Sequence, residues 1–161
     1  MYEAFGKKKY LRFLIEDSDR IAEELEDTNG DTYSRMAAAV ASILEKYIDI
    51  APRWDALAQD TKNGYADTLE RFFGTHQGVP ESFLGKLIEV TKGAEERDNF
   101  LRAVGDQGFD YTEGFSAEID NINDLPRLRV FYKKEKDGKT LFEFNQDIGL
   151  DTLRAIVNEE A

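Results

Sequence analysis

Apolar residues return every three or four positions through most of the first hundred residues, and that period predicts helices. In KKKYLRFLIEDSDRIAEELED, the residues Leu11, Leu14, Ile15, Ile21, Ala22 and Leu25 share one face and leave the acids on the other. DTNGDT breaks the pattern, and Asp31 or Thr32 can cap a second helix. That second segment repeats Tyr33, Met36, Ala37, Val40, Ile43, Leu44, Tyr47 and Ile48 at the same spacing. It is the expected central core helix, ended by Pro52. A shorter pattern through Trp54 and Leu57 leads into GYADTLERFFG, where Tyr65, Leu69, Phe72 and Phe73 predict another helix closed by Gly74. VPESFLGKLIEV and AEERDNFLRAVG add two more, with proline in a tolerated first turn and Gly105 as the stop.

After Gly105 the pattern changes. DQGFDYTEGFSAEIDNINDLP is acidic, lacks any basic residue and reads as a long connection, with a short strand expected at 115–122. RLRVFYKKEKDGKTLFEF then places Asp137-Gly138 between apolar runs, the strongest local signal for a β-hairpin. A two-residue turn there pairs Phe131 with Phe144 and Lys133 with Phe142, leaving Val130, Tyr132 and Leu141 on the opposite face. LDTLRAIVNEEA closes the chain as a helix with Leu150, Leu153, Ile156 and Val157 inward. The expected fold is α+β, mostly α: one domain spanning 1–161, with a helical part at 1–105 and about six helices. The acidic connection, a C-terminal hairpin that a third strand can extend to a small sheet, and the final helix occupy 106–161.

Composition narrows the function classes. With 161 residues, 41% of them hydrophobic, the chain can bury a core in spite of 34% charged residues. Charge interrupts the apolar residues near the N-terminus before a secretory run forms, and no apolar stretch is long enough to span a bilayer, so a cytoplasmic protein without a membrane partner is expected. Cysteine is absent, which removes thiolate nucleophiles and cysteine-ligated metals. His76 is the only histidine, leaving almost no parts for a zinc site or a nucleophile with a His base. Neither Gly-rich phosphate cradle motif occurs. Asp27, Asn29 and Asp31 match the first positions of a calcium loop, but the glycine is misplaced and Ala38 stands where a bidentate acid belongs. No cofactor or metal is expected. A pair of carboxylates could still run a hydrolase, and 33 acidic residues supply many pairs.

The formal net charge of -12 is the most informative feature. Glu16, Asp19, Glu23 and Glu26 recur at helical spacing, a stripe about 15 Å long at the helical rise, with Asp27 alongside. A second run, Asp106, Asp110, Glu113, Glu118, Asp120 and Asp124, has no basic residue within it. Such surfaces repel nucleic acid and attract basic partners. The hairpin is the exception, a local basic island that suits lysine protection of sheet edges, docking onto the protein's own acidic connection, or stacking of bases on Phe131, Tyr132 and Phe142. The profile resembles, by type, inhibitors that phages and plasmids direct at host nucleases, and immunity proteins that neutralise toxins. The leading expectation is a non-catalytic, DNA-mimicking inhibitor of the anti-CRISPR or other anti-defence type. It makes no direct nucleic-acid contact and occupies a basic groove on a nuclease or CRISPR effector. The alternatives are an immunity protein and a carboxylate-dependent hydrolase.

Overall fold

The structure, a computed structural model, describes residues 10–122 and 125–159. Among them are five helices, α1 (Tyr10–Glu24), α2 (Tyr33–Gln59), α3 (Val79–Lys92), α4 (Ala94–Val104) and α5 (Leu150–Asn158). Three strands, β1 (Ser116–Ile122), β2 (Leu125–Lys136) and β3 (Lys139–Ile148), form an antiparallel sheet in the order β1-β2-β3. The fold is α+β and mostly α, as the periodicity predicts, with the hairpin extended to three strands.

The core lies between one face of the sheet and the helices. Phe83, Leu84, Leu87 and Ile88 of α3 are fully buried and join Leu128, Val130 and Tyr132 of β2 and Leu153 and Ile156 of α5 in one cluster. Phe100 of α4 is its aromatic centre, edge-on to Tyr132 at 5.6 Å and to Phe142 at 5.6 Å. Phe109, from the connection before β1, stacks on Tyr132 at 5.0 Å. Offset and edge-on pairs of this kind add about 0.5–1.5 kcal/mol each beyond their area. They fasten the acidic connection to the sheet.

Four expectations are corrected. Pro52 does not end α2, which continues to Gln59. Its buried residues stop at Ile48, so the proline removes a hydrogen bond where the helix has already left the core. The helix expected over 65–74 is absent, giving five helices among the described residues where about six are expected; residues 60–78 form turns and irregular chain. Tyr65, Phe72 and Phe73 are exposed, so their helical spacing has no apolar surface to dock on. Leu25, expected inward, lies beyond the end of α1 and is exposed.

The hairpin register is shifted by one. Asp137 and Gly138 both take positive φ, 51° and 73°, and make the expected tight turn. Glu135 then pairs with Thr140, but Lys134 pairs with Phe142, leaving Leu141 as an extra residue. The bulge sets Tyr132 opposite Phe144 and puts Phe142, Phe144, Val130 and Tyr132 on the buried face, while Phe131 and Leu141 face out. β2 is the middle strand only as far as Phe131, where its pairing with β1 begins; Lys133, Lys134 and Lys136 lie in the part of β2 that pairs with β3 alone.

Candidate acidic interface

The first acidic run is built by the junction of α1 and α2. Helix α1 ends in a Schellman turn: Asp27 N–H donates to Ala22 O at 2.8 Å and Glu26 N–H to Glu23 O at 3.1 Å. The position after the cap needs left-handed backbone and is usually glycine. Here it is Glu26, with φ 52°. The next turn closes on Asp27, whose Oδ1 accepts N–H bonds from Asn29 and Gly30, both at 2.9 Å. Those bonds, with help from Arg35, hold the Asp27 carboxyl below its ordinary pKa. The Arg35 guanidinium donates to Gly30 O and Asp27 O, both at 2.7 Å. Of the calcium-like motif, Asp27 Oδ1 is thus engaged in the helix-helix turn, and Asp31 is exposed.

Asp19 has a different task from its neighbours in the stripe. Its two carboxylate oxygens accept from Ser34 N–H at 3.1 Å and Ser34 Oγ at 2.8 Å. Ser18 Oγ accepts from Tyr33 N–H at 2.9 Å, and Thr32, not Asp31, caps α2 through Arg35 N–H. Together these satisfy the free donors at the start of α2 and fix its angle to α1. Glu16 pairs with Arg12 at 3.0 Å. Glu23 and Glu26 are exposed and have no ion pair among the described residues. With Asp19 and Asp27 they line an open groove of about 390 Å³. Glu159, after α5, completes it and is itself paired with Lys86 of α3 at 2.5 Å.

The second acidic run does not join this groove, and two of its members face the protein's own hairpin. Glu113 accepts from Tyr132 Oη at 2.8 Å and from Lys134 Nζ at 2.6 Å, and Asp110 accepts from the same ammonium at 3.1 Å. Burial pushes the Lys134 pKa down, but the bonds from Glu113 and Asp110 outweigh it and the net shift is upward. Burial and Glu113 also push the Tyr132 hydroxyl far up. Glu118 and Asp120 stand on the outer sheet face opposite Arg129 and Arg127, and those arginines bond Asp147 of β3. Asp106 is exposed in the turn after α4, and Asp124 lies outside the described residues. Base stacking loses two of its three rings, since Tyr132 and Phe142 are buried.

Glu81 is the residue that sequence reasoning missed. It is fully buried, and its carboxylate accepts from Gly78 N–H at 2.9 Å and from Phe109 N–H at 2.7 Å, tying the start of α3 to the acidic connection. A Cβ on Gly108 would come within 2.5 Å of Glu81 Oε1, and Gly108 has φ 72°, so glycine is required there on both counts. The signal was a Glu three residues after Gly78, directly before an apolar run. His76 is exposed in the 60–78 segment. No group of three or more His, Asp or Glu side chains is disposed to hold a metal among the described residues.

No protein-family model, curated protein or solved structure matches the chain.

Proposed function

We propose that this chain is a non-catalytic acidic binding protein of the cytoplasm. The carboxylates at the α1–α2 junction occupy a Lys/Arg-rich surface on a nucleic-acid-handling protein, of nuclease or CRISPR-effector type, as an anti-defence inhibitor does. The observation that carries the reading is Glu26. It holds a left-handed conformation that costs a non-glycine residue about 1–2 kcal/mol, at a helix end where glycine is the usual choice. Strained residues of this kind cluster where a side chain is needed for binding. Glu23 beside it likewise has no ion pair among the described residues, and the groove sets Asp19, Glu23, Glu26, Asp27 and Glu159 against Arg35, so its charge is net negative. Carboxylates so placed substitute for backbone phosphates in a basic channel and speed encounter through long-range attraction.

The test is inhibition of purified nucleases, RNA-guided effectors among them. The wild-type chain should block cleavage in a salt-sensitive way, and Glu23→Lys with Glu26→Lys should abolish the block while leaving the melting temperature within a few degrees. A wild-type chain that leaves every nuclease active, or a reversed chain that inhibits as well, overturns the reading.

A further inference from the structure

The second half of α2 and the chain immediately after it form a surface that the other described residues leave largely uncovered. Nothing on α2 beyond Ile48 is buried, yet the helix runs on to Gln59. The chain then travels from 60 to 78 without helix or strand. Structureless connections of that length are uncommon in compact domains and mark binding segments when they are ordered. This one is held in place by its rings: Phe73 packs edge-on to Tyr47 at 5.7 Å, and Tyr65 lies against Trp54 at 5.6 Å. The packing still leaves Phe72 91%, Phe73 63% and Tyr65 54% exposed, with Ile50 and Leu57 exposed nearby. Trp54 Nε1 is covered and has no hydrogen-bond acceptor among the described residues.

We infer that this surface is the interface of a symmetric dimer, and that the occupant is a second copy of the same chain. Two observations select it. The first is area. An aromatic side chain carries roughly 150–250 Å², so the three rings alone leave about 400 Å² in water, within the range of the largest patch on a typical monomer. Ile50 and Leu57 extend it toward the roughly 800 Å² per partner of a stable interface. The second is charge. Residues 46–76 hold four Lys or Arg against five Asp or Glu, a net of -1 with His76 neutral, in a chain of net -12. Two copies repel one another over most of their surface and meet here with almost no repulsion. A two-fold axis through the patch makes it self-complementary, and two-fold dimers are the commonest oligomers. The dimer then carries two acidic grooves.

The experiment is sedimentation velocity on the full chain over a concentration series, with Phe72→Asp alongside. Phe72 is almost wholly exposed in the single chain, so the variant should fold with the far-UV circular dichroism of the wild type. The wild type should sediment at twice the chain mass, and the variant should need at least about a tenfold higher concentration to do so. High salt should leave the wild-type dimer intact, because apolar contact drives it. That response separates it from the salt-sensitive binding of the acidic groove. Because the chain lacks cysteine, Thr68→Cys provides a second measurement: mild oxidation should link two chains, whereas Asp106→Cys should stay unlinked. A wild type that stays monomeric at high concentration overturns the inference and assigns the surface to a different molecule. A dimer indifferent to Phe72→Asp, or linked equally by Asp106→Cys, places the contact elsewhere and overturns it too.

Discussion

Lys134, in the middle strand, and Glu113, in the acidic connection, meet at 2.6 Å with only 15% of either side chain exposed. The most basic stretch of the chain thus finds its partner within the same molecule. The contact also orders the connection, since Asp110 N–H bonds back to Glu113 at 2.8 Å and Tyr132 shares the same carboxylate.

Removing that carboxylate should therefore be expensive for a residue outside the apolar core. Glu113→Ala leaves the largely covered Lys134 ammonium and the buried Tyr132 side chain without this acceptor, and the expected loss is about 2 kcal/mol in urea unfolding. Lys134→Met in the same background should recover part of it, because the stranded charge goes too. Equal stability of Glu113→Ala and wild type would mean the lock contributes nothing.

Glu26→Gly should act in the opposite direction. Glycine relieves the left-handed backbone but gains freedom in the unfolded chain, so a net stabilisation of about 0.5–1 kcal/mol is expected. Inhibition of the target nuclease should fall in the same variant. If stability does not rise, the turn is not strained. If inhibition is unchanged, the carboxylate is not the reason for the strain.

Acid should weaken the fold through Asp27 and Asp147. Backbone N–H groups of Asn29 and Gly30 lower the first, and Arg127 and Arg129 lower the second. Their folded pKa values lie below the unfolded ones, so the unfolded chain takes up protons first as pH falls. The stabilisation is complete above the ordinary Asp value near 3.9 and is lost as pH drops through the folded values. Urea midpoints measured from neutral pH to about pH 3 should decline more gently in Asp27→Asn with Asp147→Asn. A decline as steep as that of the wild type would assign acid sensitivity to other carboxylates.

Much of the fold was legible in the chain because its signals are local. Helical spacing located four helices of the first 105 residues, and Asp137-Gly138 located the turn. Periodicity failed at 65–74 because spacing supplies one face of a contact and says nothing of the other. Alternation identified the hairpin but assigned Phe142 and Phe144 the same face as Phe131, since one extra residue at Leu141 reverses parity and leaves no compositional mark. In the acidic stripe, Glu23 and Glu26 line one groove, but α1 ends at Glu24 and Glu26 reaches the groove from a left-handed turn that helical spacing does not describe. Spacing also could not show that Asp19 is occupied by Ser34, fifteen residues away, or that Glu159 arrives from the far end of the sequence.

That distant arrival bears on how the protein is made. α5 packs along α2, and Arg154 reaches Glu45 at 2.9 Å across 109 residues of chain. A ribosome adds on the order of 5–20 residues per second, so α2 waits several seconds with the face that α5 covers open to water. During that interval the nascent chain has an uncovered apolar stripe and an incomplete groove. Chaperone engagement and aggregation risk should peak before residue 150 emerges, and binding competence should appear only afterwards.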